Sequence, residues 1–259
     1  MRDLRAEITE NSLINEEGRI YSLVLAYPGM ADGCAPGRFY ELRVGGESGR
    51  FVLRRPFSVA MYGEDRICLR YNVVGEGTEW LSKRKPGELI SALGPLGNGW
   101  PVDKTKKTLL VGGSTGVFSI LGAAMELGDA AVAVAGFKTA GLINSIEDFR
   151  RFGTRVSVIT DDGSSGRKGL VTELMREELD KGRYERVFIC GSTAMMRFCA
   201  EAASEYDADA YVSLEERMGC GVGACMGCVA KIKAGGDNGW EYRRVCRDGP
   251  VFRAAEVIW

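Results

Sequence analysis

The sequence of 259 residues contains no histidine. This absence excludes a Rieske centre, a metal site with imidazole ligands, a Ser–His or Cys–His nucleophile and a histidine general base. What remains suits chemistry carried by a bound cofactor, for which the protein supplies binding and orientation.

The chain also lacks a strong net charge and a long apolar run. Its 34 Lys and Arg nearly balance its 35 Asp and Glu, giving a net charge of −1, so we expect no nucleic-acid partner. No apolar run approaches the roughly twenty residues of a membrane span, so we expect no membrane contact. The first residues, Met1, Arg2 and Asp3, do not open a secretory signal, which predicts a cytoplasmic protein.

Cysteine, in contrast, is plentiful, and four cysteines are grouped near the end of the chain: Cys220, Cys225, Cys228 and Cys246. The first three follow the pattern C-x4-C-x2-C, and the fourth comes after seventeen more residues. This spacing is typical of the [2Fe–2S] ligands of plant-type ferredoxins. An iron–sulfur cluster carries one electron at a time, so the pattern indicates electron transfer.

Zinc, disulfides and free thiols are the competing interpretations of these cysteines. A structural zinc site usually repeats C-x2-C, which this pattern does not. Disulfides require an oxidising compartment. Burial as free thiols is the default for the scattered Cys34, Cys68, Cys190 and Cys199, but it does not explain four cysteines at ligand spacing. The sequence therefore favours a [2Fe–2S] cluster, with zinc as the alternative.

Residues 1–100 predict short strands separated by glycine and proline. Segments 20–25, 39–44 and 51–53 are candidate strands, and Ile67, Leu69, Tyr71 and Val73 alternate with other residues at the period of a half-buried strand. No long helical period appears among them. We therefore predict a small antiparallel β-barrel.

After Pro101 the pattern changes to alternating strands and helices. Strands are expected over 108–111, 131–135, 155–159, 186–190 and 210–213, and helices over 117–127, 146–151, 170–180 and 193–205. Such alternation predicts a parallel sheet with helices on both faces and ligands at the carboxyl ends of its strands. Two more strands, 229–233 and 241–245, are expected within the cysteine segment.

Three domains follow from this division. We predict an antiparallel β-barrel domain over residues 1–100, a Rossmann-like α/β domain over 101–213 and a small [2Fe–2S] domain over 214–259.

Gly112, Gly113 and Gly116 lie between an expected strand and an expected helix. A glycine turn lets phosphate approach the backbone, and the helix N-terminus supplies N–H donors. The alternative is an ordinary glycine-rich turn. Ala135, Gly136 and Phe137 end the second strand where a common Rossmann domain would carry an acid for the ribose, so we expect a Rossmann-like sheet of another lineage.

Two segments of the barrel half have the chemistry of a flavin site, although each is weak alone. In Arg54-Arg55-Pro56-Phe57-Ser58, an arginine can pair with a diphosphate and the serine hydroxyl can reach a flavin ring nitrogen. Gly77 and Thr78 lie in a second glycine turn that would bind phosphate or simply turn the chain.

Taken together, these segments resemble the electron-transfer subunits of NAD-dependent dihydroorotate dehydrogenases, within the ferredoxin–NADP reductase superfamily. The similarity runs nearly end to end. It includes an R-P-x-S flavin motif at 55–58, flavin segments at 70–72 and 77–78, a barrel-closing G-P-x-G-N-G at 94–99, a string at 161–169, and the residues around the cysteines at 213–218 and 244–252.

The resemblance implies three cofactor sites. FAD would be bound by Arg55, Pro56, Phe57, Ser58, Arg70, Tyr71, Asn72, Gly77 and Thr78. NAD(H) would be bound by Gly112, Gly113, Gly116, Cys190 and Gly191. The cluster would be held by the four grouped cysteines, and no side chain would act as acid or base.

The resemblance also implies a relay and a partner. NAD(H) and the flavin would exchange a hydride. The flavin and the cluster would exchange single electrons. The cluster would connect to an FMN-containing dihydroorotate dehydrogenase catalytic subunit of pyrimidine biosynthesis, in a hetero-oligomer. A hydrogenase, a sulfur reductase or another flavoenzyme is the alternative partner, and a zinc-stabilised binding module without redox function is the alternative class. The choice between NADH and NADPH and the direction of electron flow stay open.

The chain departs from the family pattern in three places. Gly113-Ser114-Thr115-Gly116 replaces G-G-G-I-G, Cys190-Gly191-Ser192 replaces C-G-P, and Asn72 follows Tyr71 where an arginine is usual. Two of these changes lie in the nucleotide loops and none in the cysteine segment.

Overall fold

A closed barrel of six antiparallel strands forms the first part of the protein. The computed structural model describes residues 1–46, 51–235 and 239–259. The strands are β1 (Arg2–Asn15), β2 (Ile20–Ala26), β3 (Phe39–Leu42), β4 (Arg55–Gly63), β5 (Arg66–Asn72) and β6 (Leu89–Leu96). They run in the order β1-β2-β5-β4-β3-β6, and β6 pairs with β1 to close the barrel. A short helix, α1 (Glu76–Ser82), connects β5 to β6.

Alternation of buried and exposed side chains explains why these segments form a barrel. In β1, Leu4, Ala6 and Ile8 point inward and are buried, while the residues between them face outward. The strand predicted over 51–53 is wrong. Val52 is 89% exposed and the next strand begins at Arg55, because no face of that segment packs into the core.

The second part is a six-stranded sheet with helices on both faces. Its strands are β7 (Thr108–Gly113), β8 (Ala131–Phe137), β9 (Arg155–Thr160), β10 (Arg186–Cys190), β11 (Asp209–Ser213) and β14 (Val251–Arg253). Its helices are α2 (Val117–Leu127), α3 (Ile146–Arg151), α4 (Val171–Lys181) and α5 (Thr193–Ser204). Every residue of β8 is buried, as expected for a parallel strand covered on both sides.

The cysteine segment is joined to this sheet through its strand β14. The order of strands is β14-β11-β10-β7-β8-β9, and β14 runs antiparallel to β11. The segment also contains the hairpin β12 (Val229–Lys233) and β13 (Trp240–Arg244), followed by the short helix α6 (Val245–Asp248). The predicted fold class is thus confirmed, with β14 as an unpredicted addition. The domain boundaries at 100/101 and 213/214 stay predictions.

Aromatic packing and hydrogen bonds join the barrel to the sheet. The Trp100 ring stacks on Phe188 with centroids 4.9 Å apart, and its indole N–H donates to the carbonyl of Ser119 at 2.9 Å. The Asn98 N–H donates to the carbonyl of Gly249 at 2.6 Å, which ties the end of the barrel to the cysteine segment. Across the described ranges, no helix has the length and apolar character needed to cross a membrane.

Candidate functional site

One cavity of about 330 Å³ lies where the barrel, the sheet and the cysteine segment meet. Every residue predicted to bind flavin lines it except Gly77. The sheet contributes Thr115 and Phe118, and the cysteine segment contributes Leu214, Glu215, Glu216, Met218 and Pro250. The volume falls within the range of small-molecule sites.

On the barrel side, aromatic contacts hold the flavin residues in place. The Tyr71 ring stacks on Tyr21 at 5.5 Å and meets the edge of Phe57 at 5.7 Å. The Tyr71 hydroxyl donates to Oδ1 of Asn11 at 3.0 Å, and burial raises its pKa well above the ordinary value. This part of the wall is therefore closely packed and aromatic, and the Tyr71 hydroxyl stays uncharged.

Arg55 supplies positive charge at the same wall. Its guanidinium donates to the carbonyls of Leu53 and Arg54 at 2.9 and 3.2 Å. A Cβ on Gly77 would lie 3.1 Å from Val44 and 3.6 Å from the Arg55 Nε, so Gly77 lets the start of α1 pack close to the arginine. Thr78 fixes that turn, because its hydroxyl accepts from the N–H groups of Val74 at 2.9 Å and Gly75 at 3.2 Å.

Arg70 joins the cavity to the nucleotide domain. It lines the cavity, yet its guanidinium forms an ion pair with Asp148 at 2.6 Å and donates to the Ser145 hydroxyl at 3.1 Å. Both partners are in or next to α3, and the side chains of Arg70 and Asp148 are only 9% and 16% exposed. No sequence pattern indicated that Arg70 would pair with Asp148.

On the sheet side, the predicted nucleotide residues meet at the carboxyl ends of two neighbouring strands. Gly112 of β7 pairs with Cys190 of β10. A Cβ on Gly116 would overlap the carbonyl of Cys190, and one on Gly191 would lie 3.4 Å from the Gly113 Cα. These five residues do not line the cavity, but Thr115 between them does. The backbone here is too closely packed for side chains.

Cys190 is buried behind this edge. Burial raises the pKa of its thiol to about 12, and its Sγ lies 3.8 Å from the carbonyl oxygen of Ser213. It therefore stays a neutral thiol at physiological pH.

The four grouped cysteines approach one another as two pairs. The Cys225 N–H donates to the Sγ of Cys220 at 3.4 Å. Cys228 and Cys246 are brought together because the Val245 N–H donates to the Cys228 carbonyl at 2.7 Å. In the described part of the chain, no three His, Cys, Asp or Glu side chains are arranged around a single metal position. Two thiol pairs suit a cluster in which two bridged irons share four thiolates.

The loop around Cys220 already favours a thiolate. Burial opposes its ionisation, but backbone N–H groups of Cys225, Val222 and Ala224 outweigh burial and hold the Cys220 pKa below its ordinary value. Gly221 and Gly223 have φ of +69° and +78°, which only glycine adopts readily. The Arg244 guanidinium fastens the loop by donating to the Gly223 carbonyl at 2.9 Å. This donor set and cradle fit a cluster bound by thiolates.

Several residues that line the cavity were not predicted as site residues: Phe39, Val74, Thr115, Phe118, Ser119, Ser213, Leu214, Glu215, Glu216, Met218 and Pro250. The string 213–218 was recognised as part of the family pattern but was given no role. Its position directly before the cysteines was the available indication, because a segment leaving β11 starts at the ligand edge of the sheet.

A barrel followed by a ligand-binding α/β sheet defines the class of ferredoxin reductase-like proteins. The fold is shared with a ferredoxin–NADP+ reductase from Plasmodium falciparum, with a TM-score of 0.64 at 12% identity over 82% of this chain and 96% of that one. A solved structure of an NADH-dependent reduced ferredoxin–NADP oxidoreductase, from work on flavin-based electron bifurcation, has a TM-score of 0.85 at 29% identity. That match covers 99% of this chain and 90% of that one.

Sequence relatives define the family more narrowly. The dihydroorotate dehydrogenase B (NAD(+)) electron transfer subunit of Caldanaerobacter subterraneus subsp. tengcongensis is 37% identical over 257 residues, covering 99% of this chain and 98% of that protein. The subunit of Bacillus caldolyticus is 37% identical over 262 residues, with 98% of each covered. The family model for the iron–sulfur cluster binding domain of dihydroorotate dehydrogenase B matches residues 215–258. The chain belongs to the family of dihydroorotate dehydrogenase B electron transfer subunits, which confirms the resemblance.

Proposed function

We propose that this protein is an oxidoreductase subunit that relays electrons between NAD(H) and a partner flavoprotein through FAD and a [2Fe–2S] cluster. The observation that carries the proposal is a cavity lined by the barrel, by Thr115 and Phe118 beside the glycine turn of the sheet, and by the segment that leads to the cysteines. A cofactor in that cavity would touch all three parts, so electrons would need to cross only short distances.

The proposed flavin site is the barrel wall of the cavity. Arg55 and Arg70 supply positive charge for a diphosphate, Ser58 supplies a hydroxyl for the ring, and Thr78 with Gly77 shapes the turn. Pro56, Phe57, Tyr71 and Asn72 complete the wall. FAD would supply exchange of electron pairs with NAD(H) and of single electrons with the cluster, so the protein needs no general acid or base.

The proposed nucleotide site is formed by Gly112, Gly113 and Gly116 with Cys190 and Gly191. Its backbone N–H groups, at the start of α2, would bind phosphate. The proposed cluster ligands are Cys220, Cys225, Cys228 and Cys246. The Val222 and Ala224 N–H groups would donate to sulfur there and help to set the reduction potential.

We further propose that the partner is the FMN-containing catalytic subunit of a dihydroorotate dehydrogenase in pyrimidine biosynthesis, bound in a hetero-oligomer. The printed names of the relatives support this partner. None of the eight cysteines, all of which lie in the described residues, forms a disulfide, which supports a cytoplasmic location.

The class of protein is tested by the absorption and metal content of purified protein. Flavin and iron–sulfur bands in the visible, with iron and sulfide in equal amounts, are expected. A colourless protein with stoichiometric zinc would contradict the relay and favour the zinc-stabilised binding module.

The identity of the nicotinamide nucleotide that reduces the flavin is tested by stopped-flow bleaching of the flavin with NADH and with NADPH. We expect NADH to reduce it; reduction by neither would contradict the nucleotide site. Co-purification with the tagged protein tests the partner. Capture of a hydrogenase or sulfur reductase instead of an FMN-containing dihydroorotate dehydrogenase would overturn the pyrimidine assignment and leave the relay standing.

A further inference from the structure

Two serine hydroxyls lie on the sheet side of the cavity, and neither the sequence pattern nor the proposed cofactor sites give them a role. Ser119 is on α2 and Ser213 is the last residue of β11. Both residues line the cavity, yet they are only 3% and 4% exposed. Buried polar groups are normally hydrogen-bonded, so each hydroxyl needs a partner.

The partners that the protein itself offers these hydroxyls are weak. The Ser119 hydroxyl donates to the Ser213 hydroxyl at 3.4 Å, well beyond the roughly 2.7–2.8 Å at which hydroxyl groups bond best. Both hydroxyls also interact with the buried thiol of Cys190, but sulfur is a weak acceptor. Because Ser213 accepts from Ser119, its own proton has only this sulfur available among the described residues. A carbonyl oxygen in the cavity would be a better acceptor.

The backbone holds Ser213 firmly in place. On one side, its neighbour Val212 pairs with Ile189 of β10, and the Cys190 thiol donates to the Ser213 carbonyl at 3.8 Å. On the other side, Ser213 pairs with Val251 of β14. A hydroxyl on a strand held from both sides needs little rearrangement when a ligand arrives.

The position of the two serines indicates which part of a ligand they meet. Ser119 is three residues beyond Gly116, and Ser213 contacts Cys190, so both adjoin the proposed nucleotide site. The glycines of that site do not line the cavity, whereas the two serines do. The part of NAD(H) that enters the cavity to exchange a hydride with the flavin is the nicotinamide ring. The polar substituent of that ring is a carboxamide, whose carbonyl oxygen accepts hydrogen bonds.

We infer that the Ser213 hydroxyl binds the carboxamide carbonyl of NAD(H), and that Ser119 is a positioning residue that orients this hydroxyl. The inference rests on the proposed nucleotide site and adds to it the residues that recognise the reacting ring. A buried donor that loses its acceptor is costly, so such a donor discriminates against a ligand with a poorer acceptor at that position.

The test compares two dinucleotides that differ in one atom. In thionicotinamide adenine dinucleotide, sulfur replaces the carboxamide oxygen and accepts hydrogen bonds weakly. Calorimetry measures the Kd of NAD+ and of this analogue for the intact protein loaded with FAD and cluster. The proteins are wild type, Ser213→Ala, Ser119→Ala and the control Ser204→Ala, which alters an exposed serine at the end of α5.

We expect the wild type and Ser204→Ala to bind NAD+ roughly tenfold more tightly than the analogue. Ser213→Ala should lose this preference because NAD+ binding weakens, and Ser119→Ala should lose part of it. Stopped-flow bleaching with NADH and with the reduced analogue should show the same loss of preference. A purely structural role would weaken binding of both dinucleotides equally and leave the preference unchanged.

The other results overturn the inference in distinguishable ways. A wild type without preference would mean that the carboxamide oxygen is not recognised. An unchanged preference in Ser213→Ala would exclude its hydroxyl as the donor, and an accompanying shift of the flavin absorption bands would place the hydroxyl against the flavin instead. A wild-type protein that binds neither dinucleotide and is not bleached by NADH would overturn the proposed function itself.

Discussion

The two sides of the cavity are built in opposite ways. The barrel side presents side chains, among them Arg55, Ser58 and Tyr71, whereas behind the sheet side the backbone of Gly116 closely approaches the carbonyl of Cys190. A site made of side chains is damaged when atoms are removed, and a site made of backbone is damaged when atoms are added. The two sides therefore call for opposite mutations.

The largest effect is expected outside both sides, at the cysteine loop. Cys225→Ser should abolish the cluster, because a serine oxygen replaces one of four thiolates. FAD should stay bound, since its predicted contacts are in the barrel. Iron analysis, electron paramagnetic resonance and flavin content measure the outcome, with Cys34→Ser as the control. A normal cluster resonance in Cys225→Ser would contradict the ligand assignment, and loss of FAD would show that the cavity depends on the cluster.

Adding one methyl group should damage the sheet side. In Gly116→Ala the new Cβ would overlap the rigid backbone carbonyl of Cys190, whereas in Gly113→Ala it would overlap only the flexible end of Met195. Both glycines have φ values open to alanine, −59° and −117°, so space alone distinguishes them. We expect flavin reduction by NADH to slow by roughly 100-fold in Gly116→Ala and by less than roughly tenfold in Gly113→Ala.

The measurement is stopped-flow flavin bleaching at equal FAD occupancy. If both variants were equally slow, the phosphate would be bound by the conformation of the loop and not by the approach of Gly116 to Cys190.

The ion pair that joins the two sides should matter for stability. Asp148→Asn removes the counter-charge of the nearly buried Arg70 guanidinium. We expect the free energy of unfolding to fall by about 2 kcal/mol. The matched control is Glu205→Gln, whose partner Arg176 and own side chain are 39% and 56% exposed; it should cost within about 0.5 kcal/mol. Urea unfolding followed by circular dichroism gives both values. Equal losses of unfolding free energy in the two variants would show that burial of the Arg70–Asp148 pair does not increase its contribution to stability.

The smallest effect is expected for a single side chain of the barrel wall. Arg55→Ala removes one charged contact to a diphosphate, and we expect the Kd for FAD to rise roughly tenfold. The control is Arg66→Ala, because Arg66 is an exposed arginine on β5. Fluorescence titration of flavin-free protein measures both. An unchanged Kd in Arg55→Ala would place the diphosphate elsewhere, with Arg70 as the next candidate.

Elements with local sequence patterns were predicted well. The helix over Val117–Leu127 and the strand over Arg186–Cys190 have the predicted limits, because a buried parallel strand and its following helix are each apolar along their length. The barrel was predicted as a class, but β1 and β6 were not placed. Their charged and glycine-containing sequences form strands only because partners across the barrel complete their hydrogen bonds.

The same distinction applies to the site. Arg55, Pro56, Phe57 and Ser58 are adjacent in sequence and were found as a motif. Pro250 and Phe39 border the same cavity from opposite ends of the chain, and the Arg70–Asp148 pair spans 78 residues. Contacts of this kind depend on how separate elements pack, which no local pattern encodes. The contact of Glu41 on β3 with Gly221 of the cysteine loop is a further case, since only packing brings the two residues together.

The pairing of β14 with β11 has a consequence for biogenesis. The chain leaves the sheet at Ser213 and returns at Val251 to pair with the strand it left, so the cysteines lie on a closed excursion whose two ends are anchored side by side. The barrel and the other five strands of the sheet can therefore pair before β14 is synthesised, and β14 then fixes the far end of the cysteine segment beside β11.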